Sequence, residues 1–182
     1  MPAREHPGAQ PLGRVCAQAG DPRSREALKD ALPFVPRAGH PAPYGRWPTL
    51  NLVIEALAIA GRVEDAAALH PVAEDMIGMG FAIMFGSEAL PRTAAGIAAA
   101  CARNWARAEE HHQTAIHQAD TMPHRVCQPI ARYWYAEMLR ARGEPGDRSR
   151  AGALLGEALA MFESLSMPLY ARQATEKLAA LG

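Results

Sequence analysis

The sequence predicts an all-α protein, an antiparallel array of helical hairpins that coils into a superhelix. One helix face repeatedly carries a small residue, a larger one four positions on, and another small one. This pattern recurs at offsets of 42 and 43 residues, which is typical of helical repeat proteins. A turn residue precedes each copy, namely Gly61, Asn104 or Gly143. The three copies are Ala66, His70 and Ala73; Ala108, His112 and Ala115; and Ala151, Leu155 and Ala158.

Composition and charge narrow the functional class. The chain has 182 residues, enough to bury a core, and its 19 basic residues balance 19 acidic ones. A net charge of zero gives no electrostatic reason to expect direct binding to nucleic acid or to an anionic membrane. No apolar run reaches the length of a membrane span. Cys16, Cys101 and Cys127 have no close pairing, which favours free thiols in a reducing cytoplasm.

The first 48 residues are expected to lie outside the repeat. Residues 1–20 are rich in Pro and Gly and are predicted to be a flexible lead-in. Residues 21–48 are predicted to hold an N-terminal helix and a Pro-rich loop. Asp21 is the expected helix cap, and Pro22 suits the first helical position. Phe34, Tyr44 and Trp47 should hold the loop against the body of the protein.

Residues 49–182 are predicted to form three helical hairpins and a C-terminal capping helix. Pro71 should kink or divide the second helix of the first hairpin, and Ser87 is a candidate cap for the next hairpin. The short apolar stretch 79–86 is compatible with either a loop or a strand. The expected helices span residues 49–60, 63–77, 87–103, 105–121, 128–141, 147–165 and 169–181.

The small residues explain how paired helices could approach closely. Gly96 faces the partner helix of its hairpin, and His112 occupies the slot that Leu155 fills in the third copy. His112 is therefore expected to be a packed core residue. Its neighbours His111 and His117 are expected at the surface.

The segments GRVEDA at 61–66, NWARA at 104–108 and 143–151 resemble tetratricopeptide repeats. More specifically, residues 133–151, 154–159 and 167–168 are similar to the C-terminal helical region of large bacterial signalling regulators. In that family a tetratricopeptide-like array follows a P-loop ATPase, which is linked to a class III nucleotide cyclase or a LuxR-type DNA-binding domain. The resemblance covers about residues 22–182.

The resemblance implies a sensor or scaffold segment of such a regulator. The P-loop motif Gly-x-x-x-x-Gly-Lys-Ser/Thr does not occur in the chain, so the family's enzymatic activities do not carry over. We therefore expect a non-enzymatic protein–protein interaction or regulatory module without a cofactor. Its partner would be a protein or peptide, or tethered ATPase and output domains, and self-association into a homo-oligomer is left open.

In a repeat array the first helix of each hairpin lines the concave surface, which binds extended peptides or helices. Six residues in this register are predicted to line it and to contact a partner. They are Asn51, Glu55, Ile97, Tyr133, Glu137 and Arg140.

An alternative interpretation is a small-molecule sensor or an enzyme with a pocket near His124, Cys127 and Tyr133. Cys127 lies three residues after His124, the only spacing in the chain that favours a thiol–histidine pair. A zinc site is not expected, because His111 and His112 point about 100° apart on a helix and no closed set of four ligands is present.

Overall fold

The computed structural model describes residues 23–84, 87–122 and 124–182. These residues form an all-α fold in which successive helices pack against each other, and no strand occurs within them. The expected lead-in 1–20 and the predicted cap Asp21 lie outside the described residues. The helices are α1 (Arg23–Ala31), α2 (Trp47–Ile59), α3 (Val63–Ala68), α4 (His70–Gly78), α5 (Pro91–Cys101), α6 (Trp105–Thr121), α7 (Cys127–Arg142), α8 (Asp147–Ser164) and α9 (Pro168–Ala179).

The N-terminal part packs onto the body through Trp47, whereas the predicted anchor Tyr44 is 56% exposed. Helix α1 buries Ala27, Leu28 and Ala31, and short 3₁₀ turns follow at Leu32–Phe34 and Tyr44–Arg46. The Trp47 side chain is buried and its ring lies 5.9 Å from that of Phe81. Apolar contacts therefore anchor the Pro-rich loop at its C-terminal end.

Prolines mark where several helices begin. Pro71 divides the predicted helix 63–77 into α3 and α4, because a proline lacks the amide hydrogen that a helix interior needs. The prediction that Ser87 caps a helix is wrong, since α5 begins at Pro91 and the Ser87 hydroxyl donates to the carbonyl of Ala89. Helix α6 spans the predicted residues Trp105–Thr121. Of the stretch 79–86, the structure describes residues 79–84, in which 79 and 80 form a turn and 81–84 have no regular structure.

The turn within the first hairpin and the turn within the second share one geometry. After α2, the amide of Arg62 donates to the carbonyl of Leu57, and after α5 the amide of Asn104 donates to that of Ala99, both at 2.9 Å. This helix-ending motif requires a left-handed residue, which is Gly61 in the first turn and Arg103 in the second. Asn104 therefore does not match Gly61. It caps α6 instead, accepting from the amide of Arg107.

Helices α5 and α6 meet at Gly96. A methyl group at this position would lie 2.7–2.9 Å from three ring atoms of His112, closer than any real contact. His112 is fully buried, as predicted, and its ring stacks on Tyr135 of α7 with centroids 5.7 Å apart. His111 is also fully buried, so its predicted surface position is wrong.

Within the part of the chain that the structure describes, no helix combines the length and the hydropathy that crossing a bilayer would require.

Candidate functional site

Four of the six residues predicted to line a partner-binding surface are instead buried in this chain. Asn51 and Glu55 are fully buried, and Ile97 and Tyr133 are 3% and 6% exposed. As predictions of an open surface, these four are wrong. Glu137 and Arg140 are half-buried, and Glu137 forms ion pairs with Arg140 and with Lys177 of the last helix.

The last helix, α9, covers two of these residues, Glu55 and Tyr133. The Tyr170 ring stacks on Phe162 at 4.9 Å and lies edge-on to Tyr133 at 6.3 Å. Glu55 Oε1 accepts hydrogen bonds from Trp134 Nε1 and from the Tyr170 hydroxyl, each at 3.2 Å. A carboxylate of α2 thus joins α7 and α9 at the centre of the fold, where it has a structural role.

Replacing Glu55 with glutamine should therefore lower stability. The amide oxygen is a neutral acceptor, so both buried hydrogen bonds lose the strength that the carboxylate charge gives them, and we expect a loss of about 1–2 kcal/mol in the free energy of unfolding. Thermal and urea unfolding would measure it. Glu163→Gln on the exposed face of α8 is the matched control and should change stability by no more than about 0.5 kcal/mol. Equal effects of the two substitutions would contradict the role of Glu55.

A cavity of about 410 Å³ opens at the C-terminal ends of α2, α5 and α7. This volume lies within the range of ligand-binding pockets. The indole rings of Trp105 and Trp134 form part of its wall, together with Met138 and Ile97. Of the predicted partner-binding residues, Ile97 and Glu137 line it. The other four, Asn51, Glu55, Tyr133 and Arg140, do not line it.

Two of the three charged side chains in the cavity wall are neutralised by ion pairs. Arg142 donates to both oxygens of Asp147 at 2.7 and 2.8 Å and to Glu109 at 2.7 Å. These bonds raise the pKa of Arg142, with Asp147 as the largest cause. Glu137 is paired with Arg140 and Lys177. The third charged side chain, Arg103, makes no ion pair or side-chain hydrogen bond with the residues that the structure describes.

The backbone of Arg103 is unusual. Its φ is +57°, a left-handed conformation in which an L-residue is roughly 1–2 kcal/mol less stable than glycine. Glycine occupies the equivalent position of the first hairpin, Gly61, with φ +70°. The spacing of the repeats matches Asn104 with Gly61, one residue after Arg103. The sequence therefore did not show that Arg103 is the left-handed residue.

A polar cluster on the other side of α6 joins α4, α5 and α6. Glu74 Oε1 lies 2.8 Å from His111 Nε2, and the guanidinium of Arg107 donates to both Glu74 oxygens at 2.6 and 2.8 Å. Hydrogen bonds from Arg107 are the main reason that the pKa of Glu74 falls to about 2. Arg92 lies 3.1 Å from His111 Nδ1. Because a guanidinium only donates, Nδ1 accepts and Nε2 carries the hydrogen, so the geometry holds His111 neutral.

The alternative pocket near His124, Cys127 and Tyr133 is not assembled. Cys127 Sγ lies 3.1 Å from His124 Nδ1, but burial raises the pKa of the thiol to about 11, with a smaller contribution from the charge of Glu88. A thiol that stays protonated is a poor nucleophile. Tyr133 packs in the main core, while Cys127 belongs to a separate apolar cluster.

Within the described residues, no group of three or more His, Cys, Asp or Glu side chains is placed to hold a metal ion. Comparison with known proteins adds no assignment: no family model, no curated protein and no solved structure matches this chain.

Proposed function

We propose that this chain is a non-enzymatic interaction module, a tetratricopeptide-like array that serves a bacterial signalling regulator in the cytoplasm. One observation carries the proposal, the cavity at the C-terminal ends of α2, α5 and α7. Those are the first helices of the three hairpins, which in a repeat array face the partner. The turn geometry shared by α2 and α5 supports a relation between the first two hairpins, while α7 ends in a different turn at Gly143.

The mechanism follows from the lining of the cavity. An apolar side chain of a partner segment would enter between Trp105 and Trp134, because large aromatic side chains supply much of the binding energy at interfaces. Residues at the mouth would contact the rest of the segment. Binding would then be communicated to tethered ATPase or output domains, as the family resemblance implies.

Site-specific photo-crosslinking in cells would test this proposal. A photoreactive phenylalanine analogue at Val63, which is half-exposed and lines the cavity, should yield a discrete adduct with one partner. The same analogue at Arg172, on the exposed face of α9, is the matched control. Trp105→Leu should remove the Val63 adduct, with helicity unchanged by circular dichroism. The same set of adducts from both positions, or an adduct that persists in Trp105→Leu, would overturn the proposal.

A further inference from the structure

We propose that the cavity also binds a small apolar monocarboxylate. Its carboxylate would contact Arg103, and its apolar body would lie against the indoles of Trp105 and Trp134. This inference uses the cavity described above but needs no protein partner, so purified protein is sufficient to test it.

The size and lining of the cavity determine which apolar group of the ligand can fit. A volume of about 410 Å³ accommodates an aromatic ring with a short chain, or a medium-length alkyl chain. The apolar side chains Ala58, Ile97 and Met138 complete the wall beside the two indoles. Such a lining favours a flat or flexible apolar group and gives it few polar partners.

The charge of the cavity selects the head group. Arg142 and Glu137 are already paired, so Arg103 is the positive charge of the wall that has no counter-charge among residues 23–84, 87–122 and 124–182. A guanidinium binds a carboxylate through two parallel hydrogen bonds. A hydroxyl cannot form this pair, and an ammonium is repelled by the guanidinium because both are cations. The wall therefore matches an apolar ligand with one negative charge better than a neutral or cationic one.

The residue type at position 103 adds a second observation, because the helix-ending turn that requires a left-handed residue here has glycine in the first hairpin. A side chain has been placed at a left-handed position where the preceding hairpin has glycine, at a cost to stability. Ser166, in the turn after α8, has a similar φ of +55° but does not line the cavity. Strained residues of this kind concentrate at functional sites, and the strain at Arg103 is offset if its guanidinium binds a ligand.

The experiment compares three probes with the same apolar body, namely 4-phenylbutyrate, 4-phenylbutanol and 4-phenylbutylamine. Two of the three tryptophans line the cavity, so intrinsic fluorescence reports occupancy. A second readout is protection of Cys101, a half-buried cavity residue, from alkylation measured on its peptide by mass spectrometry. For a ligand of about twelve non-hydrogen atoms, a Kd on the order of 1 mM is expected. The acid should bind at least about fivefold more tightly than the alcohol, and the amine should bind most weakly.

Arg103→Gly is the decisive variant, because it separates binding from folding. Glycine relieves the left-handed strain, so the melting temperature should rise by about 2–4 °C while the preference for the acid over the alcohol disappears. Arg103→Lys should keep part of the preference. Arg172→Gln, which removes a positive charge outside the cavity, is the control and should keep all of it.

Three results would overturn the inference. They are equal binding of acid and alcohol to the unmodified protein, no binding of the acid at about ten times the expected Kd, and an acid preference that persists in Arg103→Gly. A fourth result would replace the ligand by a polypeptide C-terminus: a hexapeptide with an apolar last residue binds more than tenfold more tightly than the acid, and its C-terminal amide does not bind. A small acid that binds without any crosslinked partner would leave this inference standing while the proposed function fails.

Discussion

Replacing Gly96 with alanine is expected to lower the free energy of unfolding by about 2 kcal/mol. The added methyl group would lie 2.7–2.9 Å from the His112 ring, and that ring cannot move away because it is fully buried and stacked on Tyr135. Overpacking a well-packed core costs roughly 1–3 kcal/mol, and the better helix propensity of alanine returns up to about 1 kcal/mol.

Gly156→Ala is the matched control for this substitution. Gly156 lies in α8 on an exposed face, and a methyl group there would meet nothing within 4 Å. This variant should be up to about 1 kcal/mol more stable than the parent protein. Urea unfolding of both variants should therefore show opposite signs for the same chemical change. Stabilisation of both would contradict the close approach of α5 and α6.

A double-mutant cycle with His112→Ala identifies the partner of the clash. Removing the imidazole opens the space that the new methyl group needs, so the double variant should be more stable than the sum of the single effects predicts. We expect a coupling energy of about 1–2 kcal/mol. Simple additivity would show that the methyl group at position 96 meets something other than His112.

Lowering the pH from 6.5 to 4.5 is expected to destabilise the protein through its buried histidines. Burial lowers the pKa of His112 from 6.5 to about 3, with a smaller contribution from the charge of His111. Between these values the unfolded chain binds a proton that the folded chain does not, so stability is complete above pH 6.5 and falls as the pH decreases. For His112 alone the loss by pH 4.5 is on the order of 2 kcal/mol.

Above pH 4.5, the loss of stability comes from protonation of the histidines and not of the carboxylates. Arg107 lowers the pKa of Glu74 to about 2, and Arg150 is the largest cause of a similar pKa for Glu109. Stability that depends on these two carboxylates is lost only below pH 4.5. Burial lowers the pKa of His111 as well, so this residue contributes to the acid loss in the same direction as His112.

His112→Leu is the variant that checks this assignment. Leucine occupies the corresponding slot of the third copy at Leu155 and is similar in size to histidine, so stability at pH 7.5 should change by less than about 1.5 kcal/mol. Urea unfolding at pH 7.5, 6.5, 5.5 and 4.5 should show a shallower decline for His112→Leu than for the parent protein. Parallel curves would mean that His112 is not the residue that takes up the proton.

Much of the local structure could be predicted from the sequence. The periodicity of small and large residues located the helices to within a few residues, and it placed His112 in the core. The division of the first hairpin at Pro71 followed from the chemistry of proline. These features depend on residues close together in the chain or on one hairpin, where spacing alone determines which side chains share a face.

The candidate site was decided by contacts between distant residues. Glu55 was expected at an open surface, but Trp134 and Tyr170, 79 and 115 residues away, cover it with their hydrogen bonds. Sequence periodicity identifies an inward-facing position, but it does not specify whether solvent or another helix lies opposite. Sequence periodicity therefore could not predict that α9 packs over Tyr133.

The sequence alone thus determined an all-helical chain and the packing face of most helices, because backbone geometry and spacing are local properties. Only the tertiary structure decided that four predicted surface residues are core, that His111 is buried against Glu74, and that Arg103 lies at a cavity without a counter-charge among the described residues. Burial and charge compensation are sums over neighbours from the whole chain. They therefore become definite only when the helices are placed against each other.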